Sequence, residues 1–208
     1  MAAQYLADEI SVRRVLLRKQ AVPEDIADAR VRAMLGEKGR CEWAQRNENL
    51  KEYHDRVWGE RPVDDDEFFE RLMLEIFHAG LSWTVIWNKH SGIRRAFDCF
   101  DVTCVAEYGP KDIERLMNDS DVVRSEKKIV AAVANAQIVR DIQDRDGSFE
   151  SFLMALPDGD AVKNKVLCDT FSFVGQGTAR GFLESTGLEV PPHHPYCFKS
   201  GRHTWTIV

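Results

Sequence analysis

Asp66-Glu-Phe-Phe-Glu-Arg-Leu-Met-Leu-Glu-Ile-Phe-His-Ala79 has the spacing of a helix, with Phe68, Leu72, Ile76 and Ala79 recurring as one apolar stripe. At about 100° per residue, Glu75 projects between Phe68 and Ala79, inside that stripe. A carboxylate facing a core is costly unless something polar or cationic meets it. One reading is a structural acid bonded to backbone or to an arginine. The other is a functional acid, and the flanking sequence favours it. Gly80-Leu-Ser-Trp83 follows directly, and Tyr53-His54-Asp55 with Trp58 comes just before. A buried acid flanked by aromatics suits a pocket for a flat, electron-poor ligand.

Outward from this stretch the periodicity stays helical from Cys41 onward. Further helices are predicted near residues 93–100, 110–119, 127–144, 148–155, 160–168 and 175–185. Breaks fall at Gly59-Glu-Arg-Pro-Val63, Asp158-Gly159 and Pro191-Pro192. No regular strand alternation and no internal repeat is found, so the fold class is all-α. Residues 1–40 read as an N-terminal helical extension, with one helix over 23–35 closed by Gly36 and a second over 8–19. Residues 41–208 then form the main domain.

At 208 residues the chain is long enough to bury a proper core. Its 44% hydrophobic and 30% charged residues are those of an ordinary globular protein. Apolar runs are too short to cross a membrane, and the Met-Ala-Ala-Gln-Tyr start lacks a secretion-signal layout. The expectation is a cytoplasmic monomer with no membrane partner. Cys41, Cys99, Cys104, Cys168 and Cys197 form an odd, scattered set, which suits reduced thiols or metal ligands. The formal net charge of −6 gives no support for nucleic-acid binding, although a local basic patch can act within an acidic whole.

Two constellations carry chemistry. His193, His194 and Cys197 cluster after a double proline, while Cys41 and His54 lie at the start of the main domain. Four such ligands suit a closed tetrahedral zinc site, if the two distant pairs meet. Residues 113–119 lead through Ser120 and Asp121 into a helix near Ile129, with Arg124 and Lys128 at its entrance. Such a turn can aim backbone N–H groups at a phosphate. A plain helical corner is the stronger reading on spacing alone. No Gly-rich nucleotide loop, His-Glu-x-x-His or nucleophile elbow is present.

Together these residues resemble the 3-methyladenine DNA glycosylase I family over residues 41–197. The carrying motifs are Cys41-x-Trp43, Tyr53-His54-Asp55-x-x-Trp58-Gly59 and Glu75-x-x-x-Ala79-Gly-Leu-Ser-Trp83. Val122-Val-Arg124-x-x-x-Lys128-Ile129, Asn135-Ala136, Phe171-x-Phe-Val-Gly175 and His193-x3-Cys197 add weaker support. The resemblance implies a helix-hairpin-helix fold and monofunctional removal of 3-methyladenine, with 3-methylguanine as a further candidate, from double-stranded DNA containing alkylated bases. It implies a structural zinc ion on Cys41, His54, His193 and Cys197, joining the two ends of the main domain. It assigns Glu75 to base recognition as the catalytic-site acid, Tyr53 and Trp83 to the pocket walls with Trp43 and Trp58 close by, and Arg124 and Lys128 to DNA.

The chain departs from the family pattern in several places. Asp121 stands where a hairpin glycine is usual, and His78 replaces a glutamine. Ile76 follows the acid, the segment between Phe152 and Phe171 is short, and Leu167-Cys-Asp-Thr170 replaces a basic approach. These changes bear on DNA affinity and substrate range. They leave open a divergent paralogue that binds modified purines or damaged DNA without efficient hydrolysis.

Overall fold

The computed structural model describes residues 39–201. Both helices expected in the extension lie outside the described residues. The chain gathers into two compact units, one holding residues 39–56 and 192–201 and the other residues 57–191. Among the described residues there is no β-strand, and none of the helices is long and apolar enough to cross a membrane.

The first unit joins chain segments from both ends. A 3₁₀ turn, Glu42–Gln45, leads into helix α1, Glu48–Arg56, whose first turn is capped by Asn47 accepting from Leu50 N at 2.9 Å. The returning segment pairs with its start: Gly39 N donates to Tyr196 O at 2.9 Å and Phe198 N donates to Gly39 O at 2.8 Å.

The second unit is built on helix α2, Asp65–His78. Asp64 caps it by accepting from Glu67 N, and three acids in its first turn complement the helix dipole. Around it stand α3, Trp83–Ala96; α4, Val102–Ala106; α5, Pro110–Asn118; α6, Glu126–Asp146; α7, Phe149–Met154; α8, Asp160–Thr170; and α9, Gln176–Ser185. The expected single stripe on α2 underestimates its burial. All ten residues from Phe68 to Phe77 are buried, because helices pack on every side. Phe149 joins the layers, its ring centroid 6.1 Å from Phe68, 5.6 Å from Phe171 and 6.2 Å from Phe182.

One expected helix moves. The segment predicted at 93–100 begins ten residues earlier, at Trp83, and ends at Ala96. Gly80, with φ +82°, turns the chain out of α2, and Ser82 caps the new helix. The polar run Asn88-Lys-His-Ser91 masks its apolar stripe in the sequence. Beyond it, Asp98, Cys99 and Phe100 all have positive φ. At Phe100 the strain is offset by burial, since its ring lies against Phe97 at 5.4 Å and Phe69 at 6.1 Å between centroids, whereas Asp98 and Cys99 beside it are exposed. Helices α1 and α4 were not anticipated as elements.

Asp65 ties α2 to α7. Its Oδ2 accepts from Gln143 Nε2 at 2.9 Å and Phe149 N at 2.8 Å, and Oδ1 accepts from Glu150 N at 3.0 Å. Asp65→Ala is expected to lower folding stability by about 1–3 kcal/mol, since it leaves helix-start N–H groups unpaired. A shifted urea midpoint at unchanged slope would register this.

Candidate active site

Glu75 is 8% exposed on the next-to-last turn of α2. Its closest ion-pair partner among the described residues is His78, with Nδ1 3.7 Å from Oε2. Burial pushes the Glu75 carboxyl above its ordinary range, opposed by His78 and more weakly by Arg71. The other buried ions of this helix are better satisfied. Glu70 receives His90 at 2.5 Å and an ion pair from Arg94. Arg71 donates to Glu67 at 2.7 Å, Val57 O at 2.7 Å and Ser185 O at 3.0 Å. Glu75 alone keeps a carboxylate in a nearly dry place with one loose partner. Such a site attracts a cation.

Space for that carboxylate comes from Gly181 on α9. A Cβ there would meet Glu75 Oε2 at 2.6 Å and Cδ at 2.9 Å. Sequence reading missed this residue; its signal was a glycine in a helix interior, four residues after Gly177.

His78 links the acid to an aromatic row. Its ring stands edge-on to Trp83, with centroids 4.9 Å apart at 84°. Trp83 opens α3 and faces Trp87 at 6.5 Å, and Trp87 stacks on His90 at 4.3 Å. Glu75 and Trp83 therefore belong to one local cluster around His78. Trp58 is half-buried in the same unit. Tyr53 and Trp43 belong to the first unit, where Tyr53 is buried on α1 with its ring centroid 6.1 Å from that of Trp43.

The turn between α5 and α6 spans residues 119–125. Arg124 on it is exposed. Lys128 is buried, and its ammonium donates to Phe77 O at 3.0 Å and Ala79 O at 2.5 Å, closing the C-terminus of α2. Asp121 does not present an unpaired charge. Arg95 Nη2 lies 2.8 Å from its Oδ2, and Gly92 leaves room for its side chain.

In the first unit, one ligand atom each from Cys41, His54, His193 and Cys197 lie within 4.8 Å of one another, a group that could hold a metal ion. His193 Nδ1 is 3.6 Å from both sulfurs, and Cys197 Sγ is 3.3 Å from His54 Nε2. Thus His193, not His194, joins the group. His194 instead donates its backbone N–H to Cys41 Sγ at 3.3 Å, as Lys199 N does to Cys197 Sγ at 3.4 Å. Asp55 accepts at 2.8 Å from His54 Nδ1, orienting the ring, and is itself held by Arg40. Burial pushes the Cys41 thiol up to about 12 and lowers His54.

The sequence model for methyladenine glycosylases matches residues 43–170. The chain belongs to that family. It is 29% identical to a DNA-3-methyladenine glycosylase of Haemophilus influenzae over 169 residues, covering 72% of this chain and 91% of the relative. A crystal structure of 3-methyladenine DNA glycosylase I superposes with a TM-score of 0.71 at 27% identity, covering 77% of this chain and 98% of the other. A variant of such an enzyme in complex with 3-methyladenine gives 0.70 at 30% identity, covering 79% and 98%. An acid buried in α2 carries a folding cost of its own.

That cost is measurable. A carboxyl raised by burial stays protonated in the folded chain after its unfolded counterpart has ionised, so stability is lost as pH rises through this window. Glu75→Gln removes the effect. The variant and native chain should melt alike below the ordinary carboxylate range and diverge above it, with the variant melting higher at neutral pH. Thermal melts across pH 3–8 would show the gap opening upward.

Proposed function

We propose that the chain hydrolyses the N-glycosidic bond of 3-methyladenine in alkylated double-stranded DNA, with 3-methylguanine as a further candidate substrate. The observation that carries this reading is Glu75, a buried and under-compensated acid beside His78 and Trp83 in a member of this family. Alkylation at N3 makes the base cationic and weakens its bond to C1′. The departing base takes the N9–C1′ electron pair and leaves neutral, while water adds at C1′ and releases a proton. The enzyme needs no strong acid for this. It must hold the nucleotide outside the helix and prefer a cationic ring over a neutral one.

Glu75 provides that preference by charge, and by accepting from the amino edge of the base. Trp83 supports it through cation–π attraction of order 1–2 kcal/mol. Trp58, and Tyr53 and Trp43 of the first unit, are proposed as further base-contacting aromatics on the strength of the resemblance. The α5–turn–α6 segment is proposed as the hairpin of a helix-hairpin-helix, with Arg124 meeting a phosphate. Lys128 shapes the acid-bearing end of α2 from within, and any part it has in DNA binding runs through that support. We place the protein in the cytoplasm as a monomer.

Cys41, His54, His193 and Cys197 are proposed to hold one structural zinc ion. Two thiolates and two imidazoles around tetrahedral zinc have sulfur–nitrogen edges of about 3.5 Å, and the three edges measured here are 3.3–3.6 Å. The metal would join Cys41 and His54 to the returning segment and take no part in base removal. Metal analysis of the purified chain is expected to give one zinc per molecule. Cys197→Ser should lose it and lower the melting midpoint by roughly 10 °C.

The deciding experiment is release of free base from DNA treated with a methylating agent. Rapid release of 3-methyladenine is expected, reduced about tenfold or more by Glu75→Gln, which loses a charged interaction. Gly181→Ala should fold normally and reduce release comparably, because its methyl group displaces the Glu75 carboxylate. No release from folded, metal-loaded protein would defeat the enzyme reading in favour of a binding paralogue. The Arg95–Asp121 pair weakens one of the grounds for that second reading, since the Asp121 charge is met by a neighbour.

A further inference from the structure

Phe173 lies in the turn between α8 and α9 with φ +62°, a left-handed conformation that bulky side chains rarely adopt. Burial does not offset this strain, because the residue is 46% exposed while Phe171 and Val174 beside it are buried. Two devices hold the turn in this form. Asn135, wholly buried on α6, clamps Ser172 from both sides: its Nδ2 donates to Ser172 O at 3.0 Å and its Oδ1 accepts from Ser172 N at 2.7 Å. Two helical turns earlier on α6, Lys128 sets its ammonium 5.9 Å from the centroid of the Phe173 ring. The same ammonium is bonded to Phe77 O and Ala79 O, so the ring is fixed near the end of α2 that carries Glu75. Backbone strain enforced by its surroundings, around a side chain that is then left in solvent, is a mark of function.

We infer that Phe173 is a DNA-contacting residue that stacks on a nucleobase exposed when the damaged nucleotide leaves the helix. This rests on the glycosylase reading above. Extruding a purine leaves the faces of its neighbours unstacked, and an aromatic ring accepts any base face without regard to sequence. A rigidly presented phenyl ring beside the acid-bearing end of α2 meets that need. The partner is therefore the duplex beside the lesion, and the contact stabilises the opened state.

Phe173→Gly separates this role from a structural one. Glycine adopts φ +62° without strain, so the melting midpoint should hold or rise. Affinity for a duplex containing a stable abasic-site analogue should weaken about tenfold, with base release from methylated DNA slowed under single-turnover conditions. Phe173→Tyr keeps the ring and should retain both. Native affinity and release in Phe173→Gly would overturn the inference. So would a loss accompanied by a lowered melting midpoint, since the ring would then be part of the packing. The two readings fail differently: a native chain that releases no base defeats the glycosylase reading, whereas native release unaltered in Phe173→Gly defeats only the stacking contact.

Discussion

Helix α2 is buried around its whole circumference from Phe68 to Phe77, and that burial governs the chemistry of residues 57–191. A helix in this position must satisfy every ionisable group it carries, because a buried charge without a partner costs several kcal/mol. Arg71 is met by a carboxylate and two carbonyls, and Glu70 by a histidine and an arginine. Glu75, one turn further on, has among the described residues only the loose ion-pair contact with His78. The fold therefore solves the problem twice and leaves it open once. The open place is the Glu75 carboxyl, the group proposed above to meet a cationic base.

Small residues and strain are distributed to the same end. Gly181 admits the Glu75 carboxylate between helices, and Gly92 admits Asp121 against α3. Both sites trade helix propensity for a specific close approach. The two positive-φ phenylalanines differ in environment. Phe100 is fully buried among other aromatics, so packing offsets its strain. Phe173 is not, and its conformation is maintained instead by a buried asparagine and a buried lysine on α6.

Lys128 shows how one side chain can serve several parts of this arrangement. The sequence spacing suggested a phosphate contact, but its ammonium closes the carbonyl end of α2 and lies under the Phe173 ring. A long side chain at a helix entrance reaches inward or outward depending on what packs above it, which spacing does not encode. Asp121 is a parallel case. Its charge reads as a defect in the hairpin until Arg95, 26 residues earlier in the chain, is seen to pair with it.

The all-helical class, the acid within an apolar helix, and the types of the four Cys and His residues that cluster were legible in the linear chain. Each rests on local periodicity or on residue chemistry, which adjacent residues carry. The start of α3 at Trp83 was not legible, because a polar run masked its apolar face. Neither was the full burial of α2, which depends on helices remote in sequence. His193 rather than His194 joins the Cys and His cluster because the returning segment turns only one of the two rings towards Cys41 and His54. Gly181 and Asn135 matter only through residues 106 and 37 positions away, respectively. Such contacts arise when the helices pack, so three-dimensional structure alone decided how the acid is housed and how the aromatic turn is held.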